Sequence, residues 1–410
     1  MATPMRAEDI STTRRWLIFA AIMSVYVFYA FCWNTENFLR PYMAESLRLS
    51  KEQVAAFYSL QALGALIGAL IIPQFADRYS RRSTFALIAV AFGAASMGSL
   101  AVNNFSSALT QRFIMGFFMG GVFGCAVSLY VGLFSQTVRG LLGGLVQLVY
   151  NGGDAALSWF GRHYADQWQL VMVIGGVGAI VTGCIVFFAV PNDRALVPWG
   201  GDNARSQSAS GSPKKLALVE LFAAGYWQIT LRLVLLCGLN FFAFQAFNGW
   251  ITTYLKEDQG MSPDMVGKLL TALHVGSMIG AIIWGLLADR FGRRFNALGF
   301  LMAAVCVVIY LNVPQSPIML GIAGFAYGFC LVSTCIWGPY FAELYPEHLR
   351  ATAASIFNWG RIVSLFGALV AGTIAQRYGL STIMYIGGGT FLLGAIVWWS
   401  LPETLGVKSK

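Results

Sequence analysis

Runs of mostly apolar residues alternate with short polar stretches along the whole chain. Most runs have about 20 residues, the length that an α-helix needs to cross a bilayer. The pattern predicts an all-α protein with twelve membrane spans, which we number in chain order. They lie near residues 16–39, 53–76, 84–102, 107–134, 140–161, 169–190, 229–255, 265–288, 296–313, 317–340, 351–375 and 382–401. An even number of spans places both ends of the chain on one side of the membrane.

Lysine and arginine are distributed unevenly between the two sets of loops. Most of them fall on the side that also holds both ends of the chain. Because basic residues are retained in the cytoplasm, that side is predicted to be cytoplasmic. The net charge of +9 therefore reflects topology and indicates no nucleic-acid partner. We expect a multi-pass protein of the cell membrane, the inner membrane in a bacterium, with both termini in the cytoplasm.

Composition narrows the class of protein further. With 57% hydrophobic and 11% charged residues, the chain is not a water-soluble globule. Its seven cysteines all lie inside apolar runs without metal-ligand spacing, so neither a disulfide framework nor a metal site is expected. No nucleophile motif or catalytic cluster is evident, so we expect no enzyme and no cofactor. A non-transporting sensor is disfavoured because no segment is long enough to form a signalling domain.

A polar stretch divides the spans into two sets of six. Residues 205–213 are rich in serine, which is typical of a flexible linker, and residues 216–226 have one apolar face that predicts an interfacial helix. The sequence therefore predicts an N-terminal bundle at 1–190, a cytoplasmic linker at 191–228 and a C-terminal bundle at 229–410.

The two halves repeat one short motif. Residues 73–82 read Pro-Gln-Phe-Ala-Asp-Arg-Tyr-Ser-Arg-Arg, and residues 285–294 read Gly-Leu-Leu-Ala-Asp-Arg-Phe-Gly-Arg-Arg. Repeats of the same orientation are one way in which transporters are built. Charged groups at cytoplasmic helix ends can interact with helix dipoles and with each other. We expect the following residues to hold an inner gate, although the arginines could serve topology alone: Asp77, Arg78, Arg81, Asp289, Arg290 and Arg293.

The second copy of the motif resembles the conserved loop of the major facilitator superfamily, and the first differs at Pro73 and Ser80, where that motif has glycine. The resemblance implies twelve transmembrane helices in two six-helix bundles. It also implies a secondary active transporter that works by alternating access. We expect a monomer in the lipid bilayer.

Three further stretches are similar to metabolite:proton symporters, which carry aromatic acids, sialic acid and related anions. They are Glu-Leu-Tyr-Pro-Glu-His-Leu-Arg-Ala-Thr at 343–352, Gly-Arg at 360–361 and Pro-Glu-Thr-Leu-Gly at 402–406. The aromatic-acid branch has an Asp-Gly-aromatic-Asp motif in span 1, where this chain reads Cys-Trp-Asn-Thr-Glu-Asn. The prediction is proton-coupled symport of a small organic anion, a carboxylate. The alternatives are drug or metabolite:proton efflux and, with less support, sugar:proton symport.

Two arginines lie within predicted spans. Arg361 is near the middle of span 11, where a charge is costly, and Asn358 extends its polar face by one turn. Its planar fork suits a substrate carboxylate, but a permanent ion pair between helices is the competing interpretation. Arg112 precedes Gly116 and Gly120 in span 4. It could bind substrate, influence a nearby carboxyl or only brace spans 1 and 4.

Two carboxyls are candidates for carrying the proton. Asp154 shares a polar face of span 5 with Gln147 and Asn151, and it lies well inside the span. A fixed pair with Arg112 is the alternative. Glu36, near the predicted end of span 1, ranks second, because a hydrated interfacial position is as compatible with the sequence as a buried one.

Further polar or aromatic residues are candidates for binding the substrate anion. Each could instead pack or hydrogen-bond between helices, and a lone histidine is more often a packing residue. These candidates lie on spans 1, 5, 7, 8 and 10: Tyr29, Trp33, Asn37, Gln147, Asn151, Gln245, Asn248, His274 and Trp337.

Overall fold

The structure is a computed structural model, described here for residues 5–134, 138–192, 196–197, 199, 221–222, 225–314, 316–345 and 350–405. Side chains at 5, 77, 139–140, 339, 342, 350–355 and 358–359 also lie outside the description. Most of the predicted interfacial helix at 216–226, most of the predicted linker and the side chains of Asp77 and Asn358 therefore fall outside the described part of the protein.

The described residues are mainly helical. The helices are α1 (Thr12–Leu47), α2 (Lys51–Arg78), α3 (Arg81–Met97), α4 (Phe105–Gly120), α5 (Val122–Val131), α6 (Arg139–Tyr164), α7 (Trp168–Ala189), α8 (Trp227–Thr253), α9 (Pro263–Phe291), α10 (Ala297–Asn312), α11 (Pro317–Leu331), α12 (Trp337–Glu343), α13 (Arg350–Tyr378) and α14 (Leu380–Trp399). Two short strands, β1 (Met5–Arg6) and β2 (Leu196–Val197), pair in parallel.

These helices account for the twelve predicted spans. Ten stretches of the described residues are long and apolar enough to cross a membrane, and one of them, Leu141–Ala189, contains most of α6 and all of α7. Helix α13 is not among the ten, but at 29 residues it is long enough to cross. The twelve-helix prediction is confirmed.

Three spans differ in detail from the sequence prediction. Helix α1 continues to Leu47 instead of ending near residue 39, because Arg40 is buried and does not mark the membrane surface. Span 4 is interrupted at Gly121, between α4 and α5. Span 10 is divided into α11 and α12 by the 3-10 turn Val332–Ile336.

The chain divides into two compact units. Unit 1 comprises Met1–Glu36, Leu60–Asp154 and Gln167–Pro213. Unit 2 comprises Asn37–Ser59, Ala155–Asp166 and Lys214–Lys410. Unit 2 therefore includes the end of α1, the start of α2 and the end of α6 as well as the C-terminal half. The predicted division into two bundles and a linker stays a prediction.

Glycines allow α2 and α4 to pack closely in unit 1. A Cβ atom added at any of four positions would collide with a backbone carbonyl of the facing helix. Small residues permit this approach between membrane helices. The positions are Gly64, Gly68, Gly116 and Gly120. Gly116 and Gly120, which follow Arg112 on α4, thereby let α2 approach closely.

Unit 2 repeats this packing between α9 and α11. Gly276 and Gly280 face the backbone carbonyls of Phe325 and Phe329, and Gly328 faces that of Leu273. The motif between α9 and α10 repeats the one between α2 and α3, and here the helix packing repeats as well. Helix α8 packs against α13 and α14.

Unit 1 also includes residues that follow α7. Strand β2 pairs with β1 near the start of the chain. The Trp199 backbone N–H donates to the Gly132 carbonyl over 3.0 Å, and the Arg15 guanidinium lies 4.5 Å from the Trp199 ring centroid. The first part of the predicted linker is therefore packed against unit 1.

Candidate functional site

A buried carboxyl lies in the polar part of unit 1. Asp154 on α6 is 5% exposed and accepts a hydrogen bond from Asn34 Nδ2 on α1 over 2.5 Å. The same amide donates to Tyr150 Oη over 3.2 Å. Asn151 is also buried on α6, where its side chain donates to the Gln147 carbonyl. The sequence identified Asp154 and this helix face but not Asn34, its partner.

Arg112 is fully buried in unit 1 and bonds to several helices. Its Nη1 donates to Thr35 Oγ1 over 2.9 Å and to Gln61 Oε1 over 3.3 Å. Its Nη2 lies 3.7 Å from the Met172 sulfur. Gln61 in turn donates to the Trp33 carbonyl over 3.0 Å. These bonds connect α1, α2, α4 and α7, which is the bracing that the sequence offered as one alternative.

Glu36 occupies a buried position on α1. It is 1% exposed and lies well before the helix end at Leu47. Of the two positions that the sequence left open, the structure has the buried one. Glu36 is therefore, like Asp154, a buried carboxyl inside a spanning helix, where an ionised group is costly.

Aromatic rings lie next to Tyr150, the residue on α6 whose hydroxyl accepts a hydrogen bond from Asn34. The Tyr29 ring lies 6.0 Å from that of Trp33 and 6.2 Å from that of Tyr150, between centroids. Tyr26 lies 5.2 Å from Tyr29. The structure thus brings the predicted residues Tyr29 and Trp33 together near Tyr150.

In unit 2, Arg361 is half-buried near the middle of α13. Its guanidinium lies 6.0 Å from the ring centroid of Phe241 on α8. Phe241 also lies 5.2 Å from Phe357, one turn before Arg361. Arg361 is therefore placed against an aromatic pair, and its role in anion binding stays a prediction.

The polar face of α8 is buried in unit 2. Tyr327 Oη on α11 donates to Asn248 Oδ1 over 2.6 Å, so Asn248 joins two helices. Gln245 is 1% exposed, and neither of its amide atoms has a hydrogen-bond partner within the described structure. Asn248 is therefore already paired, whereas Gln245 has no partner among the residues that the structure describes.

Two further candidates in unit 2 have different surroundings. His274 is half-buried on α9, one turn from Ser277, which donates to the Gly328 carbonyl over 3.1 Å. Trp337 is buried at the start of α12, with rings of α10 and α14 around it: Phe300 at 5.7 Å and Trp398 at 5.2 Å. Trp337 is packed chiefly in an aromatic cluster.

Sequence reasoning missed Arg40, which is 2% exposed on α1. Its guanidinium lies 4.4 Å from the ring centroid of Trp250, and its Nη2 donates to Asn37 Oδ1 over 3.3 Å. The predicted end of span 1 near residue 39 made Arg40 look like a flanking charge. The apolar segment at 42–43 was the available signal that the helix continues.

The second copy of the cytoplasmic motif forms a charged cluster. Arg293 Nη1 lies 2.6 Å from Asp289 Oδ1, and its Nη2 lies 3.2 Å from Glu343 Oε1. Thr404 Oγ1 donates to Glu343 Oε2 over 2.6 Å. The motif, the end of α12 and the C-terminal Pro-Glu-Thr sequence are thereby joined on one side of unit 2.

Glu403 holds this cluster to the backbone. Partial burial alone would raise the pKa of Glu403, but backbone N–H groups donate to its carboxylate, and the net effect is a pKa below the ordinary value. Four N–H donors lie 2.9 Å from its oxygens: those of Arg293, Arg294, Thr404 and Leu405.

The first copy of the motif makes different contacts. Arg82 Nη1 donates to the Val190 carbonyl over 3.3 Å, and Arg78 is exposed with its guanidinium 5.8 Å from the Tyr79 ring centroid. Arg81 is half-buried. In the second copy, Arg290 is likewise exposed, 5.3 Å from the ring centroid of Phe291.

Comparison with protein families covers nearly the whole chain. The sequence profile of the Major Facilitator Superfamily matches residues 22–262 and 233–409. The chain belongs to the major facilitator superfamily. Membership agrees with the all-helical fold, the paired motifs and the predicted class of transporter. Among the described residues, no group of three or more His, Cys, Asp or Glu could hold a metal ion.

Several curated members of the superfamily are similar along most of their length. A gallate transporter of Pseudomonas putida is 24% identical over 388 residues, covering 88% of this chain and 85% of that protein. A 4-hydroxybenzoate transporter of Acinetobacter baylyi is 22% identical over 369 residues, covering 82% and 80%. These superfamily relatives are transporters named for aromatic acids, as the resemblance in the sequence implied.

Solved structures of the superfamily share the fold. A D-xylose-proton symporter superposes with a TM-score of 0.77 at 16% identity, and the match covers 96% of this chain and 99% of that one. At this identity the likeness concerns the fold alone. The superfamily transporter described here thus has the fold of a known proton symporter and relatives named for organic acids.

Proposed function

We propose that this transporter is a proton-coupled symporter of small organic-acid anions. It would work as a monomer in the cell membrane, with both termini in the cytoplasm. The relatives named for gallate and 4-hydroxybenzoate support the substrate class, because both compounds carry a carboxylate on an aromatic ring. The excess of lysine and arginine on the side that holds both termini supports a cytoplasmic location for that side.

The observation that supports proton coupling is the hydrogen bond between Asp154 and Asn34. Asp154 is a buried carboxyl in a spanning helix, and a neutral amide donates to it over 2.5 Å. An amide has both donor and acceptor atoms, so it can bond to a carboxyl in either protonation state. Asp154 can therefore gain or lose a proton without losing its partner. This is what a carrier needs if only its loaded and empty forms are to reorient.

Binding of the anion requires a positive group inside the membrane. Arg361, half-buried on α13, is the first candidate from the sequence. Arg112 is the second, although its described bonds to Thr35 and Gln61 already engage its Nη1. A planar guanidinium matches the two oxygens of a carboxylate.

Transport assays in proteoliposomes test the proposal. The measured quantities are uptake of 4-hydroxybenzoate and gallate with an imposed pH gradient, and counterflow at equal pH. Wild-type protein should accumulate at least one acid only with the gradient. Asp154→Asn should abolish accumulation but retain counterflow, because exchange needs no return of the empty carrier. Asp166→Asn is the matched control, since Asp166 is an exposed acid beyond the end of α6.

A second variant decides between the two carboxyls. Normal accumulation by Asp154→Asn together with failure of Glu36→Gln would assign the proton to Glu36. Normal accumulation by both variants would refute coupling through either group. Net extrusion of the acids by the wild type under the same gradient would favour the efflux alternative.

A further inference from the structure

Unit 2 combines helix ends from both halves of the sequence. Two of its segments, Asn37–Ser59 and Ala155–Asp166, come from the first six spans, and the third, Lys214–Lys410, contains the last six. The first two segments lie where an odd-numbered span leads into the next even-numbered one, so they are on the side opposite both termini. By the predicted topology this side faces out of the cell. Helices from the two sets of spans therefore meet at this outer side.

Two opposite charges after α8 pair with different helices of the first six spans. The π-helical turn Tyr254–Asp258 follows α8 and contains Lys256 and Glu257. Lys256 Nζ forms an ion pair with Glu45 near the end of α1. Glu257 Oε2 lies 3.1 Å from Lys51 Nζ at the start of α2. Because its neighbouring residues carry opposite charges, this one turn binds α1 and α2 at once.

Further polar contacts connect α6 and α13 to the same side. Arg162 Nε, near the end of α6, lies 3.8 Å from Asp264 Oδ1 in the first turn of α9. The Lys51 backbone N–H donates to Gln376 Oε1 on α13 over 3.0 Å. Three ion pairs thus join helices of the first six spans to helices of the last six. These outer ion pairs are Glu45–Lys256, Lys51–Glu257 and Arg162–Asp264.

Two glycines let the backbones touch beside the outer ion pairs. A Cβ atom added at Gly267 on α9 would lie 2.3 Å from Arg162 Cβ and 2.6 Å from the Ser158 carbonyl oxygen on α6. A Cβ atom added at Gly372 on α13 would lie 2.5 Å from Ala55 Cβ on α2. A side chain at either position would force the two helices apart, so glycine allows the charged helix ends to come within reach of each other.

The outer ion pairs are weak enough to break and form again. Each is partly exposed, and the exposed fraction of the side chains ranges from 10% for Arg162 to 74% for Glu45. Water hydrates such charges when they separate, so an exposed pair contributes little net free energy. Several weak pairs can therefore hold two sets of helices together without trapping them in one arrangement. Reversible closure of a transporter needs this balance.

We propose that the outer ion pairs form a gate that closes the extracytoplasmic side of the transporter. The gate is closed in the structure. Alternating access requires the helices on this side to separate when the carrier opens outward. The separated charges then become hydrated, and the pairs form again on closure. This proposal rests on the proposed function only for alternating access and for the orientation in the membrane, and not for the identity of the transported acid.

Labelling of a cysteine introduced behind the gate tests the proposal. Thr253→Cys places a thiol at the end of α8, about one turn before Lys256, where the native side chain is 2% exposed. Intact cells that produce the full-length protein are treated with a membrane-impermeant maleimide, and the rate of labelling is measured on the protein after purification. The protein with native Thr253 gives the background from its seven cysteines. Labelling at position 253 should be slow, because the gate is closed.

Reversing one charge should open the gate. Glu45→Lys replaces an attraction to Lys256 with a repulsion, so labelling of Thr253→Cys should become about fivefold faster. Adding Lys256→Glu restores a pair of opposite charges and should return the rate towards its starting value. Gly372→Leu should accelerate labelling by at least about tenfold, because its side chain collides with Ala55 on α2. If Gly372→Leu fails to fold, the charge variants decide alone.

The matched control removes an ion pair that joins no second helix. Lys268 Nζ lies 2.5 Å from Asp264 Oδ2 within α9. Lys268→Ala should therefore leave the labelling rate unchanged. An unchanged rate in folded Glu45→Lys, or a fast rate that Lys256→Glu does not reverse, would overturn the gate. An increase in Lys268→Ala as large as that in Glu45→Lys would also overturn it.

The labelling experiment requires neither a substrate nor a pH gradient, so it is independent of the transport assays. Faster labelling in Glu45→Lys, reversed by Lys256→Glu, supports the gate even if the wild type accumulates neither 4-hydroxybenzoate nor gallate. Proton-driven accumulation of either acid, combined with a labelling rate that does not respond to Glu45→Lys, would retain the proposed function and overturn the gate.

Discussion

The two copies of the cytoplasmic motif share an Asp-Arg-x-x-Arg-Arg pattern but differ in character at the residue before the last two arginines. In unit 2 that residue is Gly292, with φ of 104°, and a Cβ there would lie 2.5 Å from Glu403 Oε2. In unit 1 it is Ser80, with φ of −171°, and its hydroxyl accepts from the Ser83 N–H at the start of α3. One copy anchors the C-terminal segment, whereas the other caps a helix.

This difference shows that a repeated motif need not repeat its local function. The second copy needs glycine because its backbone is in a region that other residues rarely adopt and because a carboxylate occupies the space beside it. The first copy has ordinary extended backbone, which leaves the position free for a capping side chain. Substituting one position at a time tests the contrast.

The largest effect should follow Gly292→Ala. The new methyl group would require a strained backbone and would displace the Glu403 carboxylate, so we expect a loss of about 3 kcal/mol. The melting temperature of the detergent-purified protein measures it, with transport assayed in parallel. A variant as stable as the wild type would show that Glu403 is not held in this position.

Glu403→Gln should come next, with a loss of about 2 kcal/mol, because an amide nitrogen cannot accept the N–H bonds of the carboxylate. The pKa of Glu403 is lowered in the folded protein, so its contribution is present above the ordinary pKa of the group and is lost as the pH falls through the folded value. Wild-type stability should therefore decrease on acidification below about pH 4.5.

The control for this effect is the pH profile of the variant. Melting temperatures of Glu403→Gln should show a smaller decrease over the same acidic range, since the substituted amide does not titrate. Parallel profiles of the two proteins would contradict the role given to the carboxylate.

Ser80→Ala should have a smaller effect, a loss of about 1 kcal/mol from the missing helix cap, and Ser80→Gly should lose only a few tenths. Thermal denaturation of both variants beside the wild type provides the measurement. If Ser80→Gly instead stabilised unit 1 and altered transport, the first position would have the same role as Gly292.

The smallest effects should come from the exposed arginines of the two copies. Arg78 and Arg290 are both exposed beside an aromatic ring, so removing either should change stability by less than about 0.5 kcal/mol. Arg293→Ala is the contrasting variant, because it breaks the contacts with Asp289 and Glu343. Equal losses for Arg290 and Arg293 would show that charge alone matters.

The sequence predicted the number of spans and the repeat well, because apolar length and the duplicated motif are local signals. It placed the end of span 1 too early, since Arg40 resembles a surface charge until Trp250 is known to cover it. It also showed which face Asp154 occupies but not that Asn34 faces it. Periodicity describes one helix, whereas partners depend on how helices pack.

The short strand pair near the start of the chain has a practical consequence for engineering. Pairing of β1 with β2, together with the contact between Arg15 and Trp199, holds the two ends of the segment from Met5 to Trp199 together. Splitting the chain before Trp199 would separate these two ends. An affinity tag fused directly to β1 would interfere with its pairing to β2. Split sites and circular permutations should therefore be kept out of the segment from Met5 to Trp199.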